Sequence, residues 1–561
     1  MTEYISYLAE RYQLLPATHF GFRPGRSTTD ALLAVDKFIH DAWNDDEVAT
    51  CVFLDVKGAF PSVHVQRLVS DLRRKGIPEK ITSWITAKLK DRRTCMIFDG
   101  YRSRVPLAIR AGLDQGCPLS GILYNFYNAW IGELVRTQKP GQVLIPGFAD
   151  DLALCIRART FIGTRRILRD LLTREDGVLD WAETHNCAFE KTKWALLDCT
   201  HKTIADPGRP GRTKPKLGTP FRLDKHTVLE PKRSAKYLGI MVNYKLNWTE
   251  QHHAAIAKGL KWMMAGSRIM RSRLGLRVCY ARQLVLAVCI PKMTYAAEVW
   301  SRPTRRRPPT GANAARTPLD RAPTGLMGKM QGVLRRGLLA AVGALRGTPT
   351  DTIEAHLNVL PLDLHLENHR HRALMRLITL PITHPLYQLT RDAQELPRDS
   401  HVSALHALTS LYRVRPDLME EVEVVRRPPN WTPNFNITEP GRKAQGREDA
   451  MADDAARTAA REMRVYSDGS AHNGGVGAAA HLIRPDGTTA TLRLHLGREL
   501  HYTVHAAEGV GLILALHLIY REAEPTASTS IGIDNQALIA GMRRYKHGAG
   551  QWTVDLSLIH I

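Results

Sequence analysis

The sequence predicts a multidomain chain of mixed α/β and α+β architecture. Three observations carry this. The 561 residues exceed what a single core fills. Segments of helical and of strand-like apolar period alternate through the N-terminal half. A polar, Pro-rich stretch from about Val424 to Ala460 sets a compact C-terminal segment apart from the rest. With 44% apolar residues, each part can bury a core.

The elements follow in order. Helical period runs from Tyr4 to Leu15 and stops at Pro16. A loop with Gly21, Pro24 and Gly25 leads to a helix over Ser27–Ala42, with Leu32, Val35, Phe38 and Ile39 on one face. Thr50–Val56 is an apolar run of β-formers and reads as a buried strand. Glu79–Lys90 and Ser120–Glu133 read as helices, and Gln142–Ile156 as two strands joined by a tight turn around Phe148–Asp151. Asp206–Pro220, dense in Gly, Pro and basic residues, reads as a loop between strands, Arg302–Gly325 as a second insertion, and Glu250–Arg271, Val278–Trp300 and Gly328–Leu345, between and after them, as helical.

Charge gives the first functional direction: 78 Lys+Arg against 55 Asp+Glu leaves +23. Residues 461–561 hold nine of each sign, so the whole excess lies on residues 1–460 and points to a polyanionic partner. A basic surface serving solubility is the alternative. The eight cysteines form no C-x-x-C or C-x-x-H pair, which argues against a zinc site or a disulfide framework. The longest apolar run, Gly509–Tyr520, is too short to span a bilayer, and the N-terminus has no signal-peptide pattern, so no membrane partner is expected.

Asp55 closes the predicted buried strand, and Asp150-Asp151 sits in the predicted hairpin turn. Phosphodiester synthesis needs two divalent cations, and converging carboxylates are the hard ligands that hold Mg²⁺. Their company is what lifts them above ordinary caps and turns. Phe53-Leu54-Asp55-Val56-Lys57-Gly58-Ala59-Phe60, Gly112-Leu113-Asp114-Gln115-Gly116-Cys117-Pro118-Leu119-Ser120 and Gly147-Phe148-Ala149-Asp150-Asp151 resemble, in order, three palm motifs of reverse transcriptases. His19–Thr28 resembles the Gly-Phe-Arg segment of non-LTR retrotransposon enzymes, and Phe189–Thr192 and Lys236–Gly239 resemble two later palm motifs. Tyr295–Trp300 and Arg346–Thr350 resemble the thumb region of the same family.

The resemblance implies a right-hand polymerase palm with partial fingers and a helical thumb. It assigns metal ligation to Asp55, Asp150 and Asp151, with the Val56 carbonyl as a further oxygen, and two Mg²⁺ per polymerase site, with Mn²⁺ as the substitute. It places Phe60 under the sugar, Gln115 and Gly116 in the template–nucleotide pocket, and Lys191 beside the leaving pyrophosphate or in solvent. Arg23 goes to template or triphosphate, or else to a structural salt bridge. Pro61 departs from the family's usual aspartate. The fingers motifs and the endonuclease that precede the Gly-Phe-Arg segment in the family are expected to be missing.

In the tail, Val465–Ser470 reads as a strand carrying Asp468, Glu508 starts the apolar helix His505–Tyr520, and Asp534 follows the strand Ser530–Ile533. This order resembles the carboxylate set of type-1 RNase H, a mixed-sheet domain that also binds divalent metal. A strand over Leu556–Ile561 would end a C-terminally truncated version of it, short of the fourth carboxylate.

The expected domains are partial fingers and palm over 1–250, thumb and helical region over 251–370, connecting helices and linker over 371–460, and the RNase H-like domain over 461–561. The implied function is RNA-directed DNA synthesis, with RNA template, DNA primer, RNA–DNA hybrid and deoxynucleoside triphosphates as partners, inside the cell and in the nucleus. The oligomeric state is left open. A non-catalytic nucleic-acid-binding remnant and a group II intron-type maturase are the other readings, the latter disfavoured by the tail.

Overall fold

The structure, a computed structural model, describes residues 1–543 apart from 110, 207, 209–210, 271–274, 303–324, 413, 416–417, 426, 430–435, 437–444 and 523–528. The chain divides into two compact units, Met1–Asp417 and Leu418–Ile561. The expected boundaries near 250 and 370 fall inside the first.

The first unit is built on a six-stranded sheet in the order Pro231–Lys232, Ala195–Cys199, Val48–Leu54, Asp151–Ala158, Val143–Leu144, with Gly147–Phe148 also paired to Asp151–Ala158. Val48–Leu54 is central and buried along its whole length, because both faces of the sheet are covered. Successive side chains of a strand point to opposite faces. Cys51 and Phe53 thus join a core with Leu32, Ile39 and Trp43 of the Thr28–Asn44 helix, whereas Val52 and Leu54 join one with Leu68, Ile122 and Leu168 on the other side. The one polar side chain of this strand, Thr50, donates to Asp198, which Arg165 holds through two hydrogen bonds of 2.6 and 2.9 Å.

The helix Thr28–Asn44 opens with a reciprocal cap between Ser27 and Asp30. Its acids face the C-terminal helices of the same unit: Asp30 pairs with Arg376, Asp36 accepts from the Ala404 amide at 2.5 Å, and Asp41 pairs with Arg398 at 2.7 Å.

Several predicted elements are broken where the chemistry requires it. Ser120–Glu133 becomes Pro118–Tyr127 and Ala129–Glu133, parted at Asn128. Val278–Trp300 becomes Val278–Leu284, a π turn over Val285–Cys289, Ile290–Met293 and Ala297–Trp300. Pro291 lacks the amide that would bond back to Ala287, and its ring crowds that carbonyl, so the helix widens ahead of it. The insertion read at Arg302–Gly325 and the strand read at Leu556–Ile561 lie outside the described residues, at 303–324 and throughout respectively.

The second unit is a four-stranded mixed sheet in the order Thr489–Arg498, Gly475–Ile483, Met463–His472, Thr529–Ile533. The first three strands are antiparallel, and the helix Val504–Tyr520 crosses back to add the fourth parallel to Met463–His472. The stretch read as linker contains the helix Gln445–Ala459, which Asp454 ties to Arg464 of the sheet at 2.8 Å. Charge density made it look like a tether, yet Asp453 pairs with Arg457 and Asp454 with Arg464 within this unit.

Candidate active sites formed by two carboxylate clusters

Strand register places the first cluster. Val48–Leu54 and Asp151–Ala158 run antiparallel with Leu54 opposite Leu152, so Asp55 leaves its strand opposite Asp151. Phe148 pairs with Asp151, leaving Ala149-Asp150 as a two-residue turn with Ala149 at φ +58°, the positive φ that tight hairpins demand. The backbone carbonyl of Asp55 accepts from the Glu190 amide at 2.9 Å, and its carboxylate accepts from Lys193 at 2.9 Å.

Like charges show in the titration. Crowding by the protein, then Asp150 and Asp55, pushes Asp151 up to about 6 against the pull of Lys236. Asp150 is raised by burial and by Asp55. Lys193 is raised by its hydrogen bond and charge contact with Asp55.

The turn rests on buried support. The Gly147 amide donates to Thr18, the Phe20 amide donates to Gly147, and His19 bridges Gly147 in parallel register. Gly21 lies so close under the turn that a Cβ there would meet Ala149 nitrogen and approach Phe148 C at 3.0 Å. Asn125 donates to the Gly21 carbonyl at 2.6 Å and Asn128 to the Ala149 carbonyl at 2.8 Å, both fully buried. The helix following Gln115–Gly116 therefore supports the Gly-Phe-Arg segment and the Asp-Asp turn together.

The remaining expected site residues divide. Phe60 is half-buried, stacked on Tyr124 at 5.1 Å and edge-on to Phe22 at 6.2 Å. Gln115 and Gly116 are exposed, with Gly116 at φ +86° and open space where a side chain would be. Pro61 packs under Gly112, whose φ of +86° and lack of Cβ allow the contact. Val56 is buried and pairs with Phe189. Arg23 resolves to its structural alternative: it is 6% exposed, bidentate to Glu10 at 2.6 and 2.9 Å, and also donates to the Pro16 and His19 carbonyls. Lys191 pairs with Asp224 at 3.0 Å. The lysine beside the carboxylates is Lys193, at the far end of the same short 3-10 turn. Sequence reasoning missed it, since nothing in Lys-Thr-Lys says which lysine reaches Asp55. It missed Asn125 and Asn128 as well, because an asparagine in an apolar helix gives no sign of its distant partner.

The second cluster forms where two glycines remove bulk between helix and strand. A Cβ on Gly469 would come 2.6 Å from Ala507 C, and one on Gly511 would come 3.1 Å from the Asp468 carbonyl. Asp468 and Asp534 follow the paired residues Ser467 and Ile533 on adjacent parallel strands. Thr503 caps the helix that delivers Glu508. One oxygen each from Asp468, Glu508 and Asp534 lies within 4.8 Å of the others, the one such acidic group among the described residues. Glu508 is 5% exposed, its Oε2 has no hydrogen-bond partner, and burial, Asp534 and Asp468 raise its pKa.

The first site, with a strand-end aspartate facing an Asp-Asp hairpin turn on a two-sided sheet, lies within a recognisable class: residues 2–242 match the family model described as reverse transcriptase (RNA-dependent DNA polymerase). That match covers less than half of the chain, and relatives that resemble it are named as polymerases or Pol polyproteins of mobile elements. The chain is 27% identical over 291 residues to the probable RNA-directed DNA polymerase from transposon BS of Drosophila melanogaster, covering 51% of this chain and 30% of that protein. It is 27% identical over 237 residues to the RNA-directed DNA polymerase from mobile element jockey of the same species, covering 42% and 24%. It is 33% identical over 133 residues to the retrovirus-related Pol polyprotein from type-1 retrotransposable element R2 of Popillia japonica, covering 22% and 18%. The chain thus spans less than a third of the length of these relatives. Among solved structures, apo telomerase from Candida tropicalis aligns over 72% of this chain and 59% of its own, at 9% identity and a TM-score of 0.33.

Proposed function

We propose that this chain is an RNA-directed DNA polymerase of a non-LTR retrotransposon, extending a DNA primer on an RNA template, with a second, RNase H-like unit directed at RNA–DNA hybrids. The observation that carries the first part is the opposition of Asp55 to Asp150 and Asp151 at one end of the central sheet of a reverse transcriptase domain. In this reading the sheet unit is palm and fingers, and the helices from Thr249 onward are thumb.

The donor set fits divalent cations. All three groups are hard carboxylates, and two have their pKa raised in part by the other anions, a cost that a bound cation removes. Two Mg²⁺, or Mn²⁺, would be held by Asp55, Asp150 and Asp151 with the Val56 carbonyl. The cations supply activation of the primer 3′-hydroxyl and charge neutralisation on the triphosphate. Phe60, fixed against Tyr124, forms the floor for the nucleotide sugar, and the open backbone at Gly116 allows close approach beside Gln115. Lys193 supplies positive charge next to Asp55, whereas Lys191, expected beside the leaving pyrophosphate or in solvent, pairs with Asp224.

The second unit is read as RNase H-like. Its partnerless Glu508 oxygen, set among Asp468 and Asp534, has the chemistry of a metal ligand. Action on chromosomal DNA would place the protein in the nucleus. The test is primer extension on an RNA template in Mg²⁺. Asp150→Ala should abolish nucleotide addition and leave hybrid binding within a few-fold of the parent, and equal extension by parent and variant would refute the assignment. Hybrid cleavage that survives Asp534→Asn would refute the second.

A further inference from the structure

Between the helix Glu79–Leu89 and the loop bearing Gln115, the chain forms a two-stranded ribbon. Arg92–Thr94 pairs with Leu107–Ile109, Ile97–Phe98 pairs with Tyr101–Arg102, and the tip is an Asp99-Gly100 turn with both φ positive, at +45° and +78°. Alternation gives the ribbon two unlike faces. Phe98 and Tyr101 are directly paired on one face, with Met96 next along it, at 76%, 59% and 59% exposure. Arg93 and Arg102 lie on the other, with Arg104 following Arg102 in the same alternation, and all three are exposed.

A free two-stranded ribbon has no core of its own and does not keep aromatic rings in water for stability. Its root is fixed, however. Arg92 donates to Asp114 at 2.7 Å and to the Gly112 carbonyl at 2.6 Å, which ties the ribbon to the loop of Gln115 and Gly116. Adjacent exposed rings backed by arginines match what a single strand requires: faces on which bases stack and cations along the phosphates. Arginines on the far face stay in water when a partner covers the rings alone, so together with the rings they favour a polyanion that reaches both faces of the ribbon, the exposed Ile97, Val105 and Leu107 notwithstanding.

We propose that the 92–109 ribbon grips the unpaired RNA template next to the polymerase site, with Phe98 and Tyr101 stacking on bases and Arg93, Arg102 and Arg104 contacting phosphates. The identity of the strand rests on the polymerase reading above, whereas the single-strand chemistry does not.

The test uses the full chain and two variants, Phe98→Ala/Tyr101→Ala and Arg93→Gln/Arg102→Gln/Arg104→Gln. Binding is measured by fluorescence anisotropy on an RNA–DNA hybrid with a long unpaired RNA overhang and on the same hybrid blunt-ended. The parent should prefer the overhang. The aromatic variant should lose about tenfold or more of that preference, as each lost stacking contact implies. The arginine variant should flatten the slope of log K against log salt by roughly 2, at about 0.7 per phosphate contact on a single strand. Extension by one nucleotide on a saturating hybrid lacking a long overhang should match the parent, and unchanged melting temperatures show that the fold is intact. An overhang preference and salt slope unaltered in both variants overturn the proposal. So does concentration-dependent self-association of the parent that Phe98→Ala/Tyr101→Ala abolishes, which would assign the rings to a second copy of the chain. A parent that binds the overhang but never extends the primer refutes the polymerase reading and leaves the grip standing.

Discussion

Gly21→Ala tests how the Asp-Asp turn is held. The new methyl group would lie inside an ordinary 3.4 Å contact with Ala149 nitrogen by about 1 Å, and the atoms it meets are backbone, not the free end of a side chain. The turn has little freedom to yield: the Ala149 carbonyl is held by Asn128 and Gly147 is bonded to Thr18 and Phe20. Overpacking of this kind costs about 1–3 kcal/mol of stability. A displacement of about 1 Å at Asp150 should cost on the order of 100-fold in nucleotide addition. Single-turnover primer extension at saturating hybrid reads the rate, and hybrid affinity should stay near the parent's. Gly332→Ala is the control, because no atom lies within 4 Å of its Cβ position inside the Gly325–Val342 helix. That variant should gain about 0.5–1 kcal/mol and extend normally. Extension at the parental rate by a stably folded Gly21→Ala protein would show that the turn does not depend on this contact.

Three further outcomes follow from charge. Asp151 keeps its proton up to about pH 6 in the folded state, above the ordinary carboxylate value near 3.9, so its contribution to stability falls as pH rises between about 4 and 6. In EDTA the melting temperature of the parent relative to Asp151→Asn should decline across that window, and Mg²⁺ should offset the decline; a constant difference would contradict the coupling. Glu508→Gln should melt higher than the parent in EDTA and lose the stabilisation that Mg²⁺ gives this unit, about 2.7 kcal/mol at 100 times Kd. An undiminished Mg²⁺ response in the variant would remove Glu508 from the ligand set. Arg23→Ala breaks a buried ion pair and should cost about 3–5 kcal/mol, with RNA affinity per folded molecule unchanged; a stable variant with weakened RNA binding would return Arg23 to the template.

What the sequence discloses here is mostly what lies close along the chain. The run Thr50–Val56 could only be a buried strand, and the Asp150-Asp151 turn is local chemistry, so both were legible, with edges moved by a residue or two. The order of carboxylate-bearing elements in the tail was legible for the same reason. Long-range bonds were not. Whether Arg23 points at a ligand or at Glu10 depends on where the first helix returns, and whether Lys191 or Lys193 reaches Asp55 depends on the phase of one short turn. The helix inside the supposed linker was hidden because Gln445–Ala459 mixes alanine with charged residues and has no run of large apolar side chains, and its docking bond, Asp454 to Arg464, joins residues that no periodicity connects.

The three acids of the Thr28–Asn44 helix bear on what can be inherited as a piece. Asp30 and Asp36 are 0% and 1% exposed, and their partners, with that of Asp41, lie at Arg376, Ala404 and Arg398, far beyond residue 242 where the family match stops. A fragment cut at the match would lose those partners and bare the helix face that they cover, leaving Asp41 its Lys37 and Asp30 its cap at Ser27. An exchange between elements at the edge of the matched stretch would sever these bonds, whereas one beyond residue 404 would keep them. The smallest heritable module is then larger than the stretch in which its ancestry can still be read.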